Sequence, residues 1–422
     1  MGEPPAVPPP AADDASPPAV EGGGGPGDAT VGVEAATDAG VDAKITVSGV
    51  AYAKGFDVPL PRAGMKLTAS GKTQDVAVAT DGTFSATSIL APYTIALEHA
   101  PTGAGTVLTV FEGLTTATPI LESGRYDGST TFGATVEGTI TGIASPLPPN
   151  TYVYVSARST SNGVAAVLRG PGEAPTYAIT PAWKGNGTRA VSVHVIAYES
   201  TGGYPTSWLG YAAKTMNLSS GGLATDENIA LGAVATKTIN GSFVPASFDG
   251  ALGVYLRWSP RATEGDVMTF ETPATSPFSL VAPTPAGASI EVVWYKAGLG
   301  SATYTAPTMG ASYALSIPAT PTLTSPAAGA TFAAGTVFSW SGPTAGVYEL
   351  TLRSTTDAPW LIVYTKATSV TVPADFVPSP ASSYTWEVRY FPNPATVDQL
   401  VGPNGVSIYG AVSGGGRQIS IP

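Results

Sequence analysis

Apolar and polar positions alternate with a period of two along most of this chain, which predicts short β-strands and almost no long amphipathic helix. The cleanest case is VYELTLRS at 347–354, where Tyr348, Leu350 and Leu352 face one way and Glu349, Thr351 and Arg353 the other. SYTWEVRYF at 383–391 repeats the pattern, with Tyr384, Trp386, Val388 and Tyr390 opposing Thr385, Glu387 and Arg389. Such strands bury one sheet face and wet the other. A second pattern recurs. Ile45–Tyr52 reads ITVSGVAY and returns as TVEGTIT at 135–141 and TINGSFV at 238–244. A glycine inside a β-branched run leaves room for a close backbone neighbour or a bulge, so each copy is read as the opening strand of a domain.

Three landmarks follow one another in each copy. The glycine (Gly49, Gly138, Gly241) is followed after 44, 39 and 37 residues by a proline-led aromatic (Tyr93, Tyr177, Phe278). A strongly β-branched strand then comes, TVLTVF at 106–111, VSVHVIAY at 191–198 and IEVVWY at 290–295. An internal repeat of this kind predicts a tandem array. The expected fold is all-β, four β-sandwich domains bounded at 44–124, 125–235, 236–318 and 319–422 behind a disordered segment 1–43. Short Pro/Gly connections near Gly124, Ala235 and Pro318 predict a semi-rigid string of domains.

Residues 45–97 resemble the carboxypeptidase regulatory-like domain, a small transthyretin-like β-sandwich common in exported bacterial proteins. The resemblance rests on GVAYAKGFDVPLPRAGMKL (49–67), ATDGTFSA (79–86) and PYTIAL (92–97). Asp81-Gly82 is a tight-turn pair, and Phe84 is expected to point inward from the strand that follows. The last segment resembles a bacterial fibronectin type III-like domain in its PTLTSP opening, Phe338-Ser-Trp340 and Tyr384-Thr-Trp386-Glu-Val388. Both resemblances imply a fold and no activity.

Composition sharpens the picture. Gly 50 and Pro 39 in 422 residues suit many turns. The net charge of −11 is concentrated in residues 1–43, which hold eight acids and no Lys or Arg. That stretch of Pro, Gly, Ala and acid has too little apolar surface to repay ordering. It resembles the tether that follows the lipid-bearing cysteine of bacterial surface lipoproteins, which implies a lipid anchor at the native N-terminus and an extracellular or cell-surface location. The remainder is close to neutral and has no basic stripe for phosphates, so nucleic acid is excluded as a partner. With no cysteine, disulfides and thiolate metal sites are excluded too. No apolar run is long enough for a membrane helix.

Candidate chemistry is thin. The two histidines, His99 and His194, lie on strands, where a lone imidazole is expected to be a hydrogen-bonded structural residue. Glu264 with Asp266 and Asp226 with Glu227 are paired acids in turn-like surroundings, read as exposed loops rather than acid/base pairs. No nucleophile elbow, zinc-protease motif or phosphate loop occurs. The chain is therefore read as a non-enzyme with no cofactor and no metal: a surface spacer, scaffold or adhesin whose partner is a polysaccharide or another surface protein. Trp340, Trp386 and Trp294 are assigned to packing, and Trp183, Trp208, Trp258 and Trp360 to loops or rims. The one candidate ligand site is the stretch 200–214, STGGYPTSWLGYAAK, read as a Gly/Pro-braced loop offering Tyr204, Trp208 and Tyr211 to sugar rings. The competing reading packs Leu209 and Tyr211 inward, with Trp208 covering a sandwich edge.

Overall fold

A computed structural model describes residues 44–53, 59–60, 63–101, 105–124, 131–159, 163–184, 187–202, 204–244, 251–257, 267–273, 277–286, 289–296, 300–305, 312–316, 319–354, 359–379, 382–392, 394–402, 411–412 and 417–420. For the strands between 251 and 316, apart from 278–283, only the backbone is described. Trp258, Glu264, Asp266 and the segment 1–43 lie outside the described residues. The protein is all-β, a set of tandem β-sandwiches with one short helix among the described residues. None of its described helices is long and apolar enough to cross a membrane.

The strands fall into four groups. The first comprises β1 (Ile45–Tyr52), β2 (Gly64–Ala69), β3 (Lys72–Asp75), β4 (Thr83–Ile89), β5 (Tyr93–His99), β6 (Val107–Leu114) and β7 (Ile120–Glu122). The second holds β8 (Thr131–Gly133), β9 (Thr135–Thr141), β10 (Thr151–Ser159), β11 (Gly163–Arg169) and β12 (Thr176–Ile179). It continues with β13 (Ala182–Lys184), β14 (Thr188–Thr201), β15 (Tyr204–Ser219), β16 (Leu223–Ala224) and β17 (Ile229–Ala230). The third is β18 (Thr236–Val244), β19 (Ala251–Arg257), β20 (Val267–Pro273), β21 (Phe278–Pro283), β22 (Ser289–Lys296), β23 (Gly300–Thr305) and β24 (Ser312–Ser316). The fourth runs β25 (Thr322–Ser325), β26 (Val337–Ser341), β27 (Val347–Ser354), β28 (Trp360–Thr365), β29 (Ser369–Thr371) and β30 (Ser383–Phe391). It ends with α1 (Val397–Val401), β31 (Ala411–Val412) and β32 (Arg417–Ser420).

One strand order recurs three times. The small sheets are β4-β1-β7, β12-β9-β16 and β21-β18-β24, and the larger ones β3-β2-β5-β6, β11-β10-β14-β15 and β20-β19-β22-β23. Each opening strand pairs antiparallel on one side and parallel on the other. The glycine in it lies opposite an aromatic residue: Gly49 opposite Phe84, Gly138 opposite Tyr177, Gly241 opposite Phe278. A Cβ on Gly49 would run into the Pro119 carbonyl and the Phe84 ring, and one on Gly138 into the Glu227 carbonyl and the Tyr177 ring. The glycine is therefore required by two neighbours at once, a ring from one strand and a carbonyl from the other.

This register corrects two landmarks in the first copy. The ring over the glycine is Phe84 on β4, not Tyr93, and the spacings become 35, 39 and 37 residues. Tyr93 opens β5 in the opposite sheet and donates its hydroxyl to the Thr116 carbonyl at 2.5 Å. By place in the sheet, β5 rather than β6 matches β14 and β22. The turn before β4 is as expected. Asp81 accepts hydrogen bonds from the amide (3.0 Å) and hydroxyl (2.7 Å) of Thr83, Gly82 has φ of 80°, and Phe84 is buried.

The fourth group forms a β25-β26-β29 sheet facing β28-β27-β30. Its core is aromatic. Phe338 meets Trp386 edge-on at 5.0 Å, and Trp340 meets Tyr348 at 5.4 Å. Tyr348, Leu350, Leu352, Tyr384, Trp386, Val388 and Tyr390 are all buried, as their alternation predicts.

The first and last groups do not follow one another as separate beads. Strand β28 pairs in parallel with β6, from Trp360 opposite Val107 to Tyr364 opposite Phe111. This fuses two sheets into one nine-stranded sheet, β3-β2-β5-β6-β28-β27-β30-β31, with β32 also on β30. The two faces of the fused sheet are covered by different partners. Leu108 and Val110 join the core of Leu361, Val363, Phe338 and Trp340. Phe111 points the other way, into the core of Val47 and Phe84, where Val347, Val397, Leu400 and Val401 also sit. Helix α1 thus closes the end of a sandwich built from the other end of the chain. Asp398 in it accepts from the Thr115 amide (2.8 Å), the Thr116 amide (3.0 Å) and the Thr115 hydroxyl (2.5 Å). Lys66 and Asp375 add an ion pair at 2.6 Å. Thr351, expected on a wetted face, is buried because this junction covers part of that face.

Candidate functional site

The stretch 200–214 is not a loop. Strands β14 and β15 form one long hairpin in register from Thr188 opposite Ser219 to Thr201 opposite Tyr204, with Gly202 at φ 66° in its turn. The residues from Tyr204 onward continue as strand, with register shifts after Ala197 and Glu199. Tyr204 stands beside the turn and is 38% exposed. Trp208 and Tyr211 are half-buried and lie opposite Tyr198 and Ile196, two residues of one sheet face.

That face is an aromatic row. Tyr152 on β10 stacks on Tyr198 at 5.7 Å, and Tyr198 meets the Trp208 ring at 5.8 Å. The three rings cross three neighbouring strands, the cross-strand arrangement that stabilises a sheet face. Sequence reading missed Tyr152 and Tyr198. The alternation in TYVYVSARS at 151–159 signals Tyr152 and that in VSVHVIAY at 191–198 signals Tyr198, since the valines of both runs face the core. The Trp208 indole N–H donates to the Val281 carbonyl on β21 at 2.7 Å, tying the second group to the third. Tyr211 takes part in a 3.0 Å hydrogen bond between its hydroxyl and His194 Nδ1, the rings stacking at 6.3 Å. Its backbone also bridges Gly232 in both directions, at 2.9 and 3.1 Å. The hairpin sets Trp208 against Tyr198 and Tyr211 against His194, with Tyr204 beside its turn.

Among the described residues, His99, His194 and Glu227 are held by hydrogen bonds or an ion pair. His194, on the face of Ser192 and Ile196 as expected, is 4% exposed, and burial pushes its imidazole down to about 4. His99 is buried with Nδ1 2.9 Å from the Ser123 hydroxyl. Glu227 forms an ion pair with Lys214 at 2.7 Å, and its amide donates to the Glu137 carbonyl. Asp226 is exposed in a turn at φ 57°. Among the described residues no cluster of three or more His, Asp or Glu side chains could hold a metal ion. Trp183, expected at a rim, is 2% exposed on β13 in the core of the second group. Its neighbours Lys184 and Pro181 disguise a short strand that pairs with β8. Trp340 and Trp386 are core residues, and Trp360 is half-buried on β28.

No protein-family model matches the chain, and no curated protein sequence does. Among solved structures it is similar to a tetra-tandem repeat from the extending region of a large adhesion protein. There the identity is 12%, covering 90% of this chain and 100% of that one, with a TM-score of 0.18. It is similar to a Ca2+-stabilised adhesin with which an Antarctic bacterium binds ice, at 12% identity over 90% of this chain and 94% of that one, TM-score 0.14. The shaft pilin SpaA of Lactobacillus rhamnosus GG is similar at 8% identity over 46% of this chain and 100% of that one, TM-score 0.14.

Proposed function

We propose that this chain is a non-catalytic scaffold of an exported bacterial protein, held at the cell surface by the acidic Pro/Gly segment 1–43 and acting as an adhesin or platform. The observation that carries the reading is the fused sheet, which makes the first and last sandwiches one body rather than two beads. Side chains that could do chemistry serve that framework instead: Asp398 holds the β6–β7 turn, Glu227 pairs with Lys214, and both histidines are buried against hydroxyls. The recurring seven-strand order supports taking 44–124, 125–235 and 236–318 as one domain family, resembling carboxypeptidase regulatory-like domains. The β25-β26-β29 sheet against β28-β27-β30 supports the fibronectin type III-like reading of 319–422. Within the spacer, scaffold and adhesin class, the meeting of first and last groups favours a scaffold over an extended spacer.

A second reading, carbohydrate binding by Tyr204, Trp208 and Tyr211, draws support from the exposure of Tyr204 and the half-buried Trp208 and Tyr211 further along the same strand. Both readings meet one experiment. Beads coated with the full chain are challenged with a glycan array and with surface proteins, beside a panel of chromogenic glycosides and esters. Capture without turnover is the expected result. Turnover that survives repurification would sink the scaffold reading. Glycan capture that Trp208→Ala removes, with the melting temperature kept, would establish the second.

A further inference from the structure

Strand β6 differs from its counterparts in the other copies. Among the described strands, β15 and β23 end their sheets, whereas β6 is continued by β28. Their sequences differ accordingly. β15 reads YPTSWLGYAAKTMNLS, mostly exposed or half-exposed, as an edge should be. β6 begins VLTVF, and all five of these residues are buried, none more than 7% exposed. A strand apolar on both faces belongs inside a sheet. Alone, the first sandwich would present Leu108, Val110 and a row of unpaired peptide groups along an open edge. The strand that covers them is some 250 residues further along the chain.

Nothing in that distance requires the covering strand to come from the same molecule. Loop closure over such a length already carries a substantial entropic cost, and it rises only slowly with further length. Within one chain the effective concentration of β28 at β6 is at most in the millimolar range. A second copy offers the same strand, the same helix α1 with Asp398, and the same Asp375 for Lys66. We propose that the β6–β28 edge is a self-recognition interface. Through it two copies exchange partners, the first sandwich of each pairing with the last sandwich of the other. The contacts described across the β6–β28 junction are regained in the exchanged dimer, so linker entropy and concentration set the balance between the two. This inference does not depend on the proposed function.

The test uses two full-length variants, one with Lys66→Cys and the other with Asp375→Cys. The wild-type chain has no cysteine, so each copy carries a single thiol. Both positions are exposed, with side chains 41% and 47% accessible, so neither change is expected to impair folding. The two are mixed, co-refolded from urea at rising concentration, and treated with a short bis-maleimide. A linked heterodimer of twice the mass is expected, rising with concentration. It should exceed by about tenfold the yield when Lys66→Cys is mixed with Lys237→Cys, a site on β18 outside the interface. Yields no higher than that control up to about 1 mM would overturn the proposal. Native mass spectrometry of isotopically light and heavy wild-type chains supplies a second readout without substitutions. Mixed dimers that need co-refolding support exchange. Mixed dimers that form equally from folded chains indicate an ordinary surface contact and overturn it.

Discussion

The first and second groups share one strand order yet end their larger sheets in opposite ways. In the second group the last strand, β15, is an edge, carrying Lys214 in mid-strand where its ammonium reaches Glu227. In the first group the corresponding strand, β6, is sealed by β28 and holds Thr109 as its one polar side chain between Val107 and Phe111. One topology therefore supports both an open edge and a junction, and the side chains of a single strand decide between them. The larger lesson is about the polar face of β27 and β30. Glu349, Arg389, Arg353 and Glu387 read as a plain wetted surface, with ion pairs at 3.7 Å and 3.1 Å. Beside them, Tyr364 is stacked on Phe111 at 5.3 Å, and its hydroxyl is held well above the ordinary range, chiefly by burial.

The most forceful way to break the comparison is to give β6 the residue that β15 tolerates. Val110→Lys puts an ammonium into the buried apolar cluster of Leu361, Val363 and Trp340. The expected loss is about 3–5 kcal/mol of stability. Urea unfolding should show a much lower midpoint. Lys214→Ala on β15 removes an exposed ion pair and should cost less than about 1 kcal/mol. Equal losses from the two changes would mean that β6 is an edge in solution.

A pH titration sharpens the contrast from the other side. The hairpin face of β14 is closed enough to bury His194, whose folded value of about 4 lies below the ordinary 6.5. The unfolded chain therefore binds the proton first as pH falls. Stability is at its full value above about pH 6.5 and is lost progressively toward pH 4, by up to about 3 kcal/mol. His194→Gln should flatten urea midpoints across that window. A slope unchanged by the substitution would mean that the imidazole is solvated.

Much of this architecture was legible in the chain. Strand alternation predicts the buried faces of β27 and β30 residue by residue, and the opening glycines mark β1, β9 and β18. What escaped did so for physical reasons. The aromatic landmark was misplaced in the first copy because Phe84 and Tyr93 both follow turn residues and both point inward, but into opposite sheets. The β6–β28 pairing was hidden because an apolar strand states that it is covered without stating by what. The aromatic stretch reads as a loop because Gly202-Gly203 and Pro205 look like a long break, although Tyr204 and Pro205 are already paired strand residues.

The repeated glycine allows a test of the repeat itself. Gly49→Ala and Gly138→Ala each drive a methyl into a carbonyl and a ring, and each should cost about 1–3 kcal/mol, as overpacking does. Gly232→Ala meets ordinary contact distance, 3.7 Å to the Tyr211 carbonyl, and should be close to neutral. A loss at Gly49 with none at Gly138 would separate the first two copies in their packing despite their common order.

The smallest effect concerns the tie between the second and third groups. Trp208→Phe keeps a ring against Tyr198 but removes the N–H that donates to the Val281 carbonyl. One hydrogen bond of this kind is worth about 0.5–1.5 kcal/mol, more toward the upper end if the carbonyl is left without another donor. Val281 is half exposed, so water can replace the indole there, and the lower half of the range is expected. Trp208→Ala removes the ring as well and should cost more, by an amount that measures how far the aromatic row supports the sheet. If the two variants unfold alike and a glycan still binds both, Trp208 is neither a support nor a platform. If Trp208→Phe is as stable as the parent and glycan-induced fluorescence changes vanish, the indole belongs to a ligand site and its bond to Val281 is incidental.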